Sequence, residues 1–239
     1  MIKLLLLALS GAKLAKVFAS GGTMLISLVV YAFVFGWRYA AGFIALLFAH
    51  EMGHYLAARQ RGLAVGLPTF IPFVGAWIDL KEQPRDVETE AYVALAGPLL
   101  GTVAAIACYL AADDGGPRWL MAVAYSGFFL NLFNLLPLSP LDGGRITAVL
   151  SPRIWFVGVP LLGALFFWRP NPMLLIIALL AAPQLFKAWK YDPAAPENQA
   201  YYTISARQRL EYMALYLGLA GYLAYMAHAT HELLGPATR

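Results

Sequence analysis

The chain has 239 residues, of which 61% are hydrophobic and only 13% are charged, and its mean hydropathy is +0.65. A soluble domain carries about 25% charged residues, so this composition excludes an ordinary soluble domain and indicates an integral membrane protein. The net charge of +4 is small, and basic residues beside apolar segments usually set topology. We therefore expect the lipid bilayer, and no nucleic acid, as a partner. The single cysteine, Cys108, excludes an intrachain disulfide.

The N-terminal twenty residues begin like a signal peptide, with a lysine followed by an apolar run. That run, Leu4 to Leu9, is short for a signal peptide, so we expect residues 1–20 to form an uncleaved interfacial helix. Two membrane-spanning helices are predicted next, over 22–37 and 40–58. Basic residues and a glycine over 59–62 end the second.

The second predicted span contains the sequence His50-Glu51-Met52-Gly53-His54. On a helix, His50 and His54 project from one face about one turn apart, and two imidazoles so placed can bind one metal ion, most often zinc. Glu51 lies about 100° round the helix from His50, which suits a general base better than a metal ligand. Soluble helices match this pattern by chance, but ionisable side chains within an apolar span are costly and mark a function.

The stretch 63–89 is apolar and β-prone, but prolines and glycines interrupt it and make it a poor helix. We expect a short hairpin or re-entrant loop at the membrane surface beside the histidines. Further spans are predicted over 91–112, 118–136, 152–168, 171–189 and 211–234, with a polar, exposed segment at 190–209. Gly97-Pro98 within the third span indicates a kink or a close approach to a neighbouring helix. The fold class is thus an all-α polytopic membrane protein with six to seven transmembrane helices.

The distribution of basic residues predicts the orientation of the chain. Seven spans leave only four of the 17 Lys and Arg residues on the side opposite the N-terminus, namely Arg38, Arg118, Arg169 and Arg239. The positive-inside rule then puts the N-terminus in the cytoplasm. The same arrangement brings the C-terminal end of the second span and the loop that holds Asp142 to the cytoplasmic side. His50, His54 and Asp142 can therefore meet.

A catalytic zinc ion usually takes three protein ligands, so the two histidines leave one ligand to be found. Asp142 is the best candidate, because it is the only acid between Asp114 and Asp192 and the adjacent prolines and glycines permit a sharp loop. The alternatives are acids in an exposed loop, where solvated charges are the commoner role, and histidines that the topology puts on the far side of the membrane. These alternatives are Asp79, Glu82, Asp86, Glu88, His228 and His231.

Two motifs carry a resemblance to a known family. His50-Glu51-Met52-Gly53-His54, with Asn134-x-x-Pro137-x-x-Pro140-Leu141-Asp142-Gly143-Gly144 after a later span, resembles the site-2 protease family of intramembrane zinc metalloproteases. The Ala96-Gly97-Pro98 helix between them is similar as well, so the resemblance covers about residues 40–146. It implies one zinc ion per chain held by His50, His54 and Asp142. It also implies that Glu51 is the general base and acid, and that Asn134 lies near the active site and holds the substrate or the oxyanion.

The resemblance also implies a reaction, a substrate class and a location. The family consists of metalloendopeptidases that hydrolyse peptide bonds in or near transmembrane segments of membrane-protein substrates, in regulated intramembrane proteolysis. We expect a single membrane-embedded domain over 1–239, with an interfacial helix (1–20), a catalytic core (40–146) and C-terminal helices (150–239). The plasma (inner) membrane of a prokaryote is the expected location, with the active site toward the cytoplasm. The loop at 59–90 is too short for a PDZ domain and no CBS pair follows the last span, so we expect the compact form of the family.

A substrate helix must unwind before its carbonyl groups can be attacked. The stretch from Phe70 to Leu80 could bind the unwound segment at an exposed strand edge, and a membrane-anchoring loop without substrate contact is the alternative. A different function class also stays open: a catalytically silent metal-binding membrane scaffold, or a metal transporter. Glu51 argues against a silent site, since metal binding alone needs no base. Few polar residues occur in the first, third, fifth and sixth spans, which argues against a transporter.

Overall fold

The computed structural model describes residues 2–73, 75–78 and 81–235, with side chains for all of these except 2–18 and 77. The helices are α1 (Ile2–Phe35), α2 (Trp37–Gln60), α3 (Val87–Asp113), α4 (Arg118–Asn134), α5 (Asp142–Thr147), α6 (Trp155–Trp168), α7 (Pro172–Trp189), α8 (Pro196–Tyr202) and α9 (Ala206–Leu234). A 3-10 turn, Pro152–Ile154, precedes α6. Two strands, β1 (Thr69–Ile71) and β2 (Gly75–Trp77), form a hairpin between α2 and α3. The described part of the chain is therefore mostly helical.

Local sequence explains where several of the helices begin. Gly36 adopts a positive φ of 84°, which separates α1 from α2 with a single residue. The carboxylate of Asp86 accepts a hydrogen bond of 2.7 Å from the backbone N–H of Thr89 and so caps the first turn of α3. Ser205 and Gln208 form a reciprocal capping box at the start of α9.

Helices α2, α3 and α4 pack against one another and form the centre of the molecule. Helix α1 lies against α2, α9 lies against α4, and the short α5 lies against α3. The fully buried side chains of Leu46, Val123 and Phe128 come from α2 and α4 and belong to the main hydrophobic core. The hairpin of α6 and α7 joins this group through α5 and the 3-10 turn.

The strands confirm the short hairpin predicted over 63–89. They pair antiparallel, with Thr69 opposite Trp77 and Phe70 opposite Ala76. Two side chains of α1 accept hydrogen bonds from hairpin backbone N–H groups: Thr23 from Phe70 at 3.3 Å, and Tyr31 from Phe73 at 3.1 Å. The first helix therefore positions the hairpin.

Three features differ from the sequence-based expectations. The interfacial helix predicted at 1–20 and the first span at 22–37 form one continuous helix, α1. Strong helix formers dominate its first half, and they carry the helix through Gly21 and Gly22 although each glycine costs about 1 kcal/mol relative to alanine. The polar segment 190–209 contains the short helix α8, which begins at Pro196, a favoured first residue. Asp142 lies at the start of a helix rather than within a loop.

Two of the described helices, α3 and α7, have the length and apolar composition needed to cross a membrane. Ala19–Phe35 and Pro152–Trp168 are apolar but shorter. The six to seven spans expected from the sequence stay a prediction.

Candidate metal centre

Three buried side chains from α2 and α5 converge on one point. The Nε2 atoms of His50 and His54 lie 3.1 Å apart. The Oδ2 atom of Asp142 lies 3.2 Å from Nε2 of His50 and 3.3 Å from Nε2 of His54. All three residues are less than 9% exposed to solvent. Among the described residues, these form the only group of three His, Cys, Asp or Glu side chains able to hold a metal ion together.

The hydrogen bonds behind the two imidazoles determine which nitrogen atoms face the centre as acceptors. Nδ1 of His54 lies 2.8 Å from the backbone carbonyl oxygen of Val93, which can only accept, so Nδ1 carries the proton. Nδ1 of His50 lies 2.8 Å from Oδ1 of Asn131, which is also an acceptor. Both Nε2 lone pairs therefore point toward each other and toward the carboxylate of Asp142.

This arrangement fits a divalent cation. Three electron-rich atoms so close together repel one another unless a positive charge lies between them. Their spacing matches tetrahedral coordination with bonds of roughly 2.0–2.2 Å, and two imidazoles with one carboxylate are a common zinc ligand set that leaves a fourth position open. The three residues could therefore hold a metal ion.

The close approach of α2 and α3 explains why His54 reaches this position. A Cβ atom added to Gly97 would lie 2.2 Å from Nε2 of His54, so only glycine leaves space for the imidazole ring. The close approach predicted from Gly97-Pro98 is thus confirmed at Gly97. The carbonyl of Val93, one turn earlier on α3, orients the same ring.

Helix α5 presents Asp142 in its first turn. Gly143 and Gly144 follow at once, and each packs directly on backbone: added Cβ atoms would lie 2.1 Å from the carbonyl oxygen of Leu135 and 2.2 Å from the nitrogen of Ser139. The indole N–H of Trp155 donates a 2.8 Å hydrogen bond to the carbonyl of Gly144 and holds α5 in place. The two glycines after Asp142 therefore let α5 lie close enough to present the carboxylate to the histidines.

A cavity of about 530 Å³ opens beside the three ligands. Glu51 and Asn134 both line it, together with His50, His54 and Asp142. Glu51 is 5% exposed, whereas Asn134 is partly buried and donates a 3.1 Å hydrogen bond to the carbonyl of Leu130. Most of the remaining wall is apolar and comes from α1, α2, β2, α4 and α7. The structure thus brings together all five site residues named from the sequence.

Arg145 brings a positive charge to the same cavity. Its Nε donates to Glu90 at 3.3 Å, and the hydroxyl of Tyr201 donates to the other oxygen of Glu90 at 2.6 Å. Burial, and next the negative charge of Glu90, raise the pKa of Tyr201 well above its usual value, so the phenol stays protonated and keeps donating. The α8 helix, which the sequence did not predict, therefore supports one wall of the site.

The alternative third ligands lie elsewhere or are engaged otherwise. Asp86 caps α3, and Glu88 accepts two hydrogen bonds from Arg61, at 2.7 and 2.8 Å. Glu82 is exposed, and Asp79 is outside the described residues. His228 and His231 are both exposed near the end of α9, where the ring of His231 lies 5.5 Å from that of Tyr125.

Asn131 is the residue of this centre that was missed in the sequence. It is fully buried and contacts His50, yet in the sequence it is only one residue near the end of the predicted span 118–136. A usable signal existed, because a polar amide inside an apolar span is costly and marks a function. The carbonyl of Val93 left no such signal, since any residue supplies a backbone carbonyl.

Comparison with known proteins supports the same assignment. Residues 38–114 match the model of peptidase family M50. That stretch, about a third of the chain, is therefore similar to the members of this family. The match includes both histidines and Glu51, and it confirms the resemblance to the site-2 proteases.

Three relatives bear names that describe zinc metalloproteases. Rip3 of Mycobacterium tuberculosis is 35% identical over 129 residues, which cover 48% of this chain and 32% of the relative. MJ0392 of Methanocaldococcus jannaschii is 28% identical over 114 residues, covering 45% and 33%. EGY1, a chloroplastic protein of Arabidopsis thaliana, is 32% identical over 153 residues, covering 44% and 28%. The aligned part of the chain thus spans about a third of the length of these relatives.

Proposed function

We propose that this M50 chain is an intramembrane zinc metalloendopeptidase that hydrolyses peptide bonds in or near transmembrane segments of membrane proteins. The observation that carries the proposal is the convergence of His50, His54 and Asp142, with Glu51 on the wall of the adjoining cavity. His50, His54 and Asp142 would hold one zinc ion per chain. The M50 match and the names of the relatives support zinc and peptide hydrolysis as the chemistry.

Zinc, when bound, supplies Lewis acidity that activates water near neutral pH and stabilises negative charge on a peptide oxygen. Glu51 takes the proton from the attacking water and then delivers it to the leaving amine, as general base and then general acid. Glu51 follows His50 in the sequence, so it lines the same cavity, but it is not one of the three metal ligands. Asn134, on the same cavity wall, donates a hydrogen bond to the substrate or to the developing oxyanion.

An unwound substrate segment has room in the cavity. The apolar walls suit the side chains of a transmembrane segment, and Gly75 and Ala76 of β2 line the same space. A substrate strand that pairs with the hairpin would exchange helical hydrogen bonds for sheet hydrogen bonds, which lowers the cost of unwinding. Because β2 lines the cavity, we propose that the hairpin binds the substrate by β-augmentation rather than serving only as a membrane anchor.

Membrane insertion is proposed with six to seven spans, the N-terminus and the active site facing the cytoplasm of a prokaryotic cell. Large apolar side chains on the outer surface support insertion: Phe33 and Phe167 are each 86% exposed, and Leu179 is 74% exposed. In water, such a surface would favour aggregation. The connection between α3 and α4 precedes α4, whereas Asp142 follows shortly after α4 ends, so we infer that the two lie on opposite sides of the membrane.

Two paired assays on purified, detergent-solubilised protein test this function. Zinc content is measured for wild type, His54→Ala and Asp142→Ala, and cleavage of a panel of single-span membrane peptides is measured for wild type and Glu51→Gln. We expect one zinc ion per wild-type chain and loss of zinc in both ligand variants. Glu51→Gln should keep its zinc and lose roughly 100-fold or more of its cleavage rate, the usual contribution of general acid–base catalysis.

Glu82→Gln is the matched control for the catalytic variant, because Glu82 is exposed and lies outside the cavity lining. It should retain both zinc and cleavage. Undiminished cleavage by Glu51→Gln would overturn the mechanism, and zinc retained by Asp142→Ala would overturn the third ligand. If the protein were a scaffold or a transporter, the wild type would bind zinc but would cleave none of the peptides. An M50 protease that cleaves peptides of the same panel serves as the positive control.

A further inference from the structure

Asn131 is a fully buried polar residue within the apolar interior of α4. A buried amide is costly unless its polar atoms are hydrogen-bonded. Its Nδ2 donates a 2.7 Å hydrogen bond to the carbonyl of Gly127, one turn earlier on α4. Its Oδ1 lies 2.8 Å from Nδ1 of His50. Each end of the amide therefore has one specific partner.

The Gly127 carbonyl fixes which way the amide points. A reversed amide would set Oδ1 against that carbonyl, two acceptors in contact, and would aim the N–H groups at His50. The observed orientation requires the proton of His50 on Nδ1. The lone pair of Nε2 then faces Nε2 of His54 and the carboxylate of Asp142. The amide of Asn131 thus selects the one tautomer of His50 that can bind a metal ion at this site.

Packing keeps the amide in this position. A Cβ atom added to Gly101 would lie 2.4 Å from Oδ1 of Asn131, so α3 closes directly over the amide. The second imidazole is oriented differently, by the backbone carbonyl of Val93. A substitution of Asn131 therefore changes the orientation of His50 without altering any of the three metal ligands.

We propose that Asn131 is a positioning residue of the metal centre, which holds His50 in its metal-binding tautomer and orientation and thereby raises the affinity for zinc. The inference rests on the proposed function, because it assumes that a metal ion binds between His50, His54 and Asp142. Groups that orient ligand histidines commonly contribute 10–100-fold to metal affinity.

Metal affinity provides the test, because it needs no substrate. Zn²⁺ and Co²⁺ are titrated into detergent-solubilised, metal-stripped protein in competition with a chelating dye. Asn131→Leu keeps the volume but removes the acceptor, and we expect a dissociation constant roughly 10–100-fold higher than wild type. Asn131→Asp restores an acceptor for His50 when its other carboxyl oxygen is protonated and donates to the Gly127 carbonyl, and this variant should stay within about tenfold of wild type. The visible spectrum of bound Co²⁺ should change in Asn131→Leu, because the imidazole is free to rotate.

Thr230→Val is the matched control. Thr230 is also fully buried, and its hydroxyl likewise donates to a carbonyl one turn earlier, that of Met226 at 2.6 Å, but it lies on α9 and touches no ligand. This variant should bind both metals as wild type does. Asn131→Ala is the second variant, to be used if Asn131→Leu does not fold, and should show the same weakening.

The outcomes separate this inference from the function on which it rests. Wild-type protein that binds neither metal would overturn both. Wild-type binding with an unchanged affinity in Asn131→Leu or Asn131→Ala would overturn the role of Asn131 alone. Equal weakening in Asn131→Leu and Asn131→Asp would also overturn it, because an acceptor would then make no difference.

Discussion

The absence of a side chain at Gly97 determines whether the ring of His54 fits between α2 and α3. In Gly97→Ala, the added methyl group would lie 2.2 Å from Nε2 and 2.3 Å from Cε1 of His54, so the ring must turn away from His50 and Asp142. We expect zinc affinity to fall by roughly 10–100-fold or more, as for other losses of ligand orientation. Titration with zinc against a chelating dye measures the change.

Gly163→Ala is the control for this substitution. Gly163 lies in α6, and a methyl group there would meet no atom within 4 Å, so the variant should fold and bind zinc as wild type does. Alanine is more favourable than glycine within a helix by about 1 kcal/mol, so the melting temperature of Gly163→Ala should not fall below that of wild type. Wild-type zinc affinity in Gly97→Ala would mean that α2 and α3 can separate enough to release the contact.

At the same scale, the residues that sequence reasoning found and missed differ in one physical respect. The residues that were found are ionisable, and the free-energy cost of an ionisable side chain in an apolar environment is enough to mark it as functional. They are His50, Glu51, His54 and Asp142. Asn131 is uncharged, and its partner is 81 positions earlier, so the pairing with His50 appears only once α2 and α4 are packed together. Contacts made by a backbone carbonyl, such as that of Val93, have no sequence signature at all.

Among the elements, the hairpin depends on α1 for its position. Tyr31→Phe removes the hydroxyl that accepts the 3.1 Å hydrogen bond from the backbone N–H of Phe73. We expect faster amide hydrogen exchange over 69–77 and a several-fold rise in KM for a membrane peptide. Zinc content should not change, since Tyr31 is not a ligand. Hydrogen exchange followed by mass spectrometry, together with peptide cleavage, measures both effects.

Tyr39→Phe is the control for the hairpin, because it removes a phenolic hydroxyl of the same kind that bonds Ser126 on α4 at 2.7 Å instead. The hairpin amides should exchange at the wild-type rate in this variant. Unchanged exchange over 69–77 in Tyr31→Phe would show that the contacts of Thr23 and the strand pairing suffice to hold the hairpin. An unchanged KM despite faster exchange would separate the hairpin from substrate binding.

The elements that sequence predicted well are those whose signal is local. Apolar runs of sufficient length gave α2, α3, α4 and α7, and prolines with glycines in an apolar stretch gave the hairpin. The sequence predicts two helices where the structure has the single helix α1. Gly21 and Gly22 lower the stability of a helix, but the sequence alone does not show whether the helix ends there. Helix α8 was missed because its support is tertiary: Tyr201 bonds Glu90, a residue 111 positions earlier in the chain.

For the whole molecule, one arrangement of helices unites the site with the proposed orientation. The end of α2 with His54, the start of α3 with Glu90 and the end of α4 with Leu135 all contact α5, so the metal ligands lie at one end of the bundle. The connection between α3 and α4 is at the other end. If α3 and α4 cross the bilayer, residues 114–117 face the exterior and α8 faces the cytoplasm, in agreement with the distribution of basic residues.

Single cysteines measure this orientation directly. In a Cys108→Ala background, which removes the only native thiol, Asp114→Cys and Glu197→Cys each introduce one cysteine at an exposed acidic position. A membrane-impermeant maleimide applied to intact cells should label Asp114→Cys at once, because its thiol lies outside. Glu197→Cys should label only after permeabilisation, because α8 lies inside. The reverse pattern would put the active site on the outer face, and labelling of both positions in intact cells would exclude a membrane between them.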